Sequence, residues 1–175
     1  MKKDWTAAIL SRTLFPRAED IRQLTMALMR MMMAHAKFES QVRALQSCVA
    51  DDLNFGEQAR NQWKARDRAK HMTALIAEKL GQIPETEAIV KLLNDAIAPS
   101  DERNFLAHGT WWSFHPQTAT ISVRGDIQRG DEDRFREYSE KTILGIADRF
   151  ETLEAELYKL RSDIEKQYGE AHDFD

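Results

Sequence analysis

The run Arg103-Asn104-Phe105-Leu106-Ala107-His108 puts three side chains that can act on a phosphodiester within about one and a half helical turns. Arginine is a permanent planar cation that grips phosphate oxygens two at a time. Histidine exchanges protons near neutrality. The asparagine between them offers donors and an acceptor without charge, which suits it to orient the imidazole or to hold a sugar or phosphate oxygen. Together the three are a set for cleaving RNA without a metal.

Their spacing sets a geometric condition. Asn104 and His108 are four residues apart and lie nearly one above the other on a helix, whereas Arg103 and His108, five apart, diverge by about 140°. One helix aims both at a single atom only if the long arginine curls round. Two copies packed about a two-fold axis would also satisfy the condition, each contributing to a shared cleft. Ala107 and Gly109 are small enough to admit another backbone, and Phe105 and Leu106 can face a core. The bland alternative is that the three polar groups cap a helix and pair with Asp101 or Glu102.

The elements that must position this run are mostly helical. From Ala18 to about Ala50, the residues Ile21, Leu24, Leu28, Met31, Met32, Phe38, Val42, Leu45 and Val49 keep a 3.6-residue rhythm. The five methionines between Met26 and Met33 fall only partly on that stripe and read as core or interface packing. His35 lies on the stripe and reads as a buried, hydrogen-bonded histidine. A second helix is expected from about Gly56 to Leu80, with Ala65, Ala69, Met72, Leu75, Ile76 and Leu80 inward and Gly81 as its stop. Pro84 opens a third that closes near Ala98-Pro99. Ser100-Asp101-Glu102 then reads as the cap and acidic first turn of the motif helix, which places Arg103 to His108 early on it.

Beyond the motif the pattern changes to aromatic and β-branched. Trp111-Trp112-Ser113-Phe114 and Thr118 to Arg124 read as a two-stranded hairpin turning at His115-Pro116-Gln117. Its tryptophans could stack on bases or pack on the bundle, and His115 could join the site or simply be solvated. A last helix is expected from about Asp131 to Gln167, with Ile146, Phe150, Leu153, Leu157, Leu160 and Ile164 at alternating spacings of four and three, a coiled-coil-like seam suited to pairing with the first helix. The polar tail, residues 168–175, is expected to fray.

The second helix also carries the chain's most basic segment. Arg60, Lys64, Arg66, Arg68 and Lys70 stand against Asp67 alone, with Trp63 among them. They are candidates for contacting an RNA backbone, or else form an ordinary solvated helix face.

Composition bounds these readings. At 175 residues and 20.2 kDa the chain suits one domain. The net charge of -4 means that any contact with nucleic acid comes from a local patch. Cys48 is the only cysteine, which rules out an intrachain disulfide or a cysteine zinc cluster and fits a reducing cytoplasm. Asp4 and Trp5 interrupt any signal-peptide pattern, and Met26 to Ala36, broken by Arg30, falls short of the roughly 20 residues of a membrane span. There is no phosphate-cradling glycine loop, no Gly-x-Ser-x-Gly elbow and no His-Glu-x-x-His zinc motif. Histidines 35, 71, 108, 115 and 172 show no metal-ligand spacing beyond His35 with Glu39, a pair that a helix salt bridge explains. Neither a metal nor another cofactor is expected.

Glu102-Arg103-Asn104-Phe105-Leu106-Ala107-His108-Gly109, followed by Thr110-Trp111-Trp112, resembles the signature of the HEPN superfamily. In that signature an arginine and a histidine are separated by four to six residues, the first of them polar. Here four intervene and the polar one is the favoured asparagine. The helical resemblance spans about residues 18–167, and only the motif is residue-specific. The resemblance implies an all-α, HEPN-like bundle of four to five helices forming one domain over residues 1–175, with a small β-hairpin (111–124) inserted after the motif helix. It also implies a homodimer whose facing motifs form a metal-independent ribonuclease centre. Arg103 would polarise the scissile phosphate, His108 would act as general acid or base, and Asn104 would orient one of them. The 2′-hydroxyl would attack, leaving a 2′,3′-cyclic phosphate. Such proteins serve as toxins or defence effectors, with RNA as substrate and a cognate antitoxin or regulatory protein as partner. Other members only bind a nucleotide or a protein.

Overall fold

The structure, a computed structural model, describes residues 18–50, 70, 72–74, 76–78, 84–115, 117–125 and 135–168. It is mostly helical, with one small antiparallel sheet. The elements run α1 (Ala18–Ala50), α2 (Pro84–Asp95), α3 (Ile97–His108), β1 (Thr110–His115), β2 (Thr120–Arg124), β3 (Phe135–Ser139) and α4 (Glu140–Tyr168). Contacts group them into two compact units. One holds the described residues of Met1–Met32 and Glu102–Ala147, the other those of Met33–Asp101 and Asp148–Asp175. Among the described residues no helix is long and apolar enough to cross a membrane.

Along α1 the buried side chains are Leu24, Ala27, Met31, Ala34, Phe38, Val42 and Leu45. Their three- and four-residue steps keep one stripe inward, as a helix of 3.6 residues per turn requires. Ile21 and Met32, both expected on the stripe, are exposed, and so are Met26, Met29 and Met33. Only Met31 of the methionine run is core. In the unit that contains Met33–Asp101, α1 packs on α4 inside the chain. Phe38 and Phe150 have ring centroids 5.9 Å apart, and Gln41 donates a hydrogen bond to Glu154 at 3.1 Å. His35 stands edge-on to Phe150 at 5.0 Å, with Nε2 3.5 Å from Glu39 Oε1. Phe150, Leu153, Leu157 and Ile164 are buried on the α4 seam, and Leu160 is half-buried. Met72 and Ile76, helical and buried, join this unit's core, as do Ile89, Leu92 and Leu93 of α2.

The motif helix starts earlier than expected. α2 ends at Asp95, and α3 already includes Ile97, Ala98 and Pro99. Proline in a first turn forfeits nothing, because that N–H has no intrahelical partner in any case. The Ser100 N–H donates to the Ala96 carbonyl at 3.1 Å, so Ser100 lies inside the helix and does not cap it. The motif therefore closes α3, and His108 is its last residue.

The unit containing Glu102–Ala147 holds the sheet, in the order β1-β2-β3 with both pairs antiparallel. The expected hairpin is present, but a third strand joins it. Phe135–Ser139 lies inside the stretch expected to be helical from about Asp131. It pairs with β2 instead, a tertiary contact that decides the matter, and α4 begins only at Glu140. Ser139 caps it: its Oγ accepts the Thr142 N–H at 3.1 Å, the bond an N-cap serine makes.

Candidate functional site

The sheet has two unlike faces. On the inner one Ile121, Val123 and Tyr138 are buried with Phe105 and Leu106 of α3, and the link between helix and sheet is Gly109. A Cβ built at Gly109 would lie 2.5 Å from Val123 Cγ1 and 2.6 Å from the carbonyl oxygens of Arg124 and Phe105. Only glycine lets the chain leave α3 and enter β1 at this distance from β2. The Gly109 N–H donates to the Phe105 carbonyl at 2.9 Å, and the Trp111 indole N–H donates to the Leu106 carbonyl at 3.0 Å. Two carbonyls of the last turn of α3 are thereby satisfied, and the end that carries His108 is anchored to β1.

On α3 itself the Arg103 guanidinium bends to its neighbour, Nη1 donating to Asn104 Oδ1 at 2.9 Å. Asn104 lies one turn before His108, so the bond draws the cation toward the stripe that asparagine and histidine share. Arg103 and Asn104 are half-buried, and His108 is exposed.

Glu102, expected in a first turn, sits mid-helix and reaches β3. Tyr138 donates to its Oε2 at 2.6 Å, and Arg136 Nη1 lies 2.9 Å from Oε1. Arg136 also stands over the Phe105 ring, 4.3 Å from its centroid, a cation–π contact. Burial, and then the bond to the Glu102 carboxylate, hold the Tyr138 hydroxyl well above the usual tyrosine range, although Arg136 pulls the other way. Burial opposes the Arg136 charge but is outweighed by Tyr138 and Glu102, which leaves that cation more firmly protonated than usual. This cluster ties the strand before α4 to the residue before Arg103. The sequence offered no signal for it beyond the types themselves.

The outer face is polar at one end and aromatic at the other. His115 Nε2 lies 2.8 Å from Ser122 Oγ and 3.2 Å from Ser113 Oγ, and Glu137 Oε1 is 3.9 Å away. Every one of these contacts falls on the same ring nitrogen. A serine nucleophile needs a base that contacts the hydroxyl through one nitrogen and its orienting carboxylate through the other. The cluster therefore staples three strands and does not form a triad. At the aromatic end, Arg124 lies over both Trp112 and Phe135, 5.9 Å and 5.7 Å from the ring centroids.

Of the expected backbone-binding cations, Arg60, Lys64, Arg66 and Arg68 lie outside the described residues, and Lys70 is exposed on a helix. Among the described residues no group of three or more His, Cys, Asp or Glu side chains is placed to hold a metal ion. Compared with protein-family models, curated proteins and solved structures, the chain matches none.

Proposed function

We propose that this chain is a metal-independent endoribonuclease, with a centre completed when two copies bring their Arg103, Asn104 and His108 together. The observation that carries this reading is the Arg103–Asn104 hydrogen bond at 2.9 Å, because it turns the guanidinium toward the residue that shares a helix stripe with His108, the direction in which the arginine would have to curl. The exposure of His108 supports it too, since a proton-transfer group has to reach its substrate. One His108 takes the proton of a ribose 2′-hydroxyl, whose oxygen attacks the adjacent phosphorus. Arg103 balances the charge that develops on the phosphoryl oxygens. Water protonates the departing 5′-oxygen and takes back a proton from the imidazolium, leaving a 2′,3′-cyclic phosphate and a 5′-hydroxyl, so one imidazole and one guanidinium suffice for each cleavage.

The test is incubation of the purified full chain with single-stranded RNA in EDTA, with His108→Ala as control. Wild type is expected to generate cyclic-phosphate ends, and the variant to lose about 10²-fold or more of the rate. If the two behave alike the catalytic reading fails, leaving a non-catalytic helical module that binds a nucleotide or protein.

A further inference from the structure

We infer that the outer face of the sheet is a base-stacking site for unpaired RNA, centred on Trp112, Arg124 and Phe135. The inference stands on the sheet alone and does not require His108 to be catalytic. Trp112 is 63% exposed and Phe135 56%, although both belong to a sheet whose other face is buried under α3. Register explains how they come together. Trp111 pairs with Val123 and Ser113 with Ser122, so Trp112 is the extra residue of a bulge, the device by which a strand re-aims a side chain. Arg124 pairs with Phe135 on the following strand. The guanidinium thus lies over two rings that are each more than half open to solvent.

This arrangement suits a particular ligand. Exposed aromatic rings stack on bases of any sequence, and an arginine among them adds a cation–π contact and positive charge beside the stacked strand. Farther along the same face, beside the buried Ser122, the half-buried Ser113 and His115 carry polar groups that a base edge or a 2′-hydroxyl would share. The face has little net charge, Arg124 being offset by Glu137, so it cannot hold a duplex by its backbone as a basic groove would. Stacking is what it offers, and only unpaired bases present their faces. The site also adjoins the motif: Trp112 is four residues beyond His108, at most about 14 Å along an extended chain.

Binding is measured with full-length His108→Ala protein and a labelled single-stranded oligouridine, against an abasic oligomer of equal charge and a duplex of equal length. The oligouridine is expected to quench tryptophan fluorescence and to bind about ten-fold or more tightly than either comparator, and Trp112→Ala and Phe135→Ala each to weaken it about ten-fold, with Trp112→Phe restoring most of the loss. Thermal melting checks the fold, which an exposed position such as Trp112 should leave within about 0.5 kcal/mol. Equal affinity for oligouridine and abasic oligomer, or unchanged affinity in Trp112→Ala, overturns the inference, as would a surface that takes a protein but no RNA. Wild type that cleaves RNA while Trp112→Ala binds normally removes the stacking site and leaves the ribonuclease standing. Lost binding in Trp112→Ala beside an inactive wild type does the reverse.

Discussion

Asn104 is neutral, and under the proposed reading that bears on what Arg103 could offer a phosphate. An amide oxygen accepts the guanidinium proton at 2.9 Å and brings no charge of its own, whereas a carboxylate at 104 would form an ion pair and compete with the substrate. Two substitutions at this position should therefore fail differently. Asn104→Ala removes the anchor, and misplacement of a catalytic group on this order costs about 10²-fold in kcat. Asn104→Asp keeps an acceptor but spends the charge, so its loss should fall mainly on KM, about ten-fold. Saturation kinetics on single-stranded RNA in EDTA separates the two. Identical profiles for both variants would mean that Asn104 does not work through Arg103.

α3 and the sheet are held together by contacts that no helical or strand pattern announces. At Gly109 a methyl group would collide with two carbonyl oxygens that cannot rotate away, so Gly109→Ala should destabilise the fold by about 2–3 kcal/mol, seen as a fall in Tm of roughly 4–12 °C for a chain of this size. An unchanged Tm would show that the helix–sheet junction has slack. Tyr138 makes a second, pH-dependent tie. Its folded pKa is raised above the unfolded value of about 10, so its contribution is fully present below pH 10 and is lost as pH climbs from there toward the folded value. Tyr138→Phe should cost about 1.5–3 kcal/mol at neutral pH, because the lost hydrogen bond went to a charged group. The gap between variant and wild type should close in denaturant titrations above pH 10, and a constant gap through pH 11 would contradict this account. These ties also show where sequence reading stopped. The α1 and α4 stripes and the β1–β2 hairpin were legible because their periods are local and repeat. The third strand was not, since Phe135–Ser139 is five residues long, too short for a period of its own to stand out ahead of the α4 seam, and only its pairing with β2 makes it a strand. The start of α3 was misjudged because Pro99 reads equally well as a boundary or as a first-turn residue. Arg103, Asn104 and His108 were singled out from type and spacing as the proposed centre, whereas the grouping of Trp112, Arg124 and Phe135 depends on a bulge and a register that no spacing encodes.

Net charge bears on how the chain as a whole would meet RNA, its proposed substrate. At -4 it would repel a polyanion at long range, so encounter would depend on small local sites, and completing a cleft with a second copy is one way to bring a guanidinium and an imidazole together without a basic surface. That idea separates cleanly from catalysis within one chain, since Arg103→Ala and His108→Ala damage different halves of the same set. Each variant alone is expected to be inactive. Mixed and allowed to exchange, half of the randomly re-paired dimers hold one intact arginine and one intact imidazole, contributed by different copies. If the centre is shared, RNA cleavage in EDTA should return in the mixture, rise with the heterodimer fraction, and vanish on dilution below the dimer dissociation constant. If the arginine must serve the histidine of its own chain, mixing restores nothing at any ratio. The guanidinium already reaches Asn104 within one chain, so the experiment opposes two concrete geometries: one copy's arginine and histidine converging on a single phosphate, or each group presented to a strand whose other flank is held by the second copy. Recovery of activity on mixing selects the latter, and its absence, with both variants folded and dimeric, rejects the shared centre.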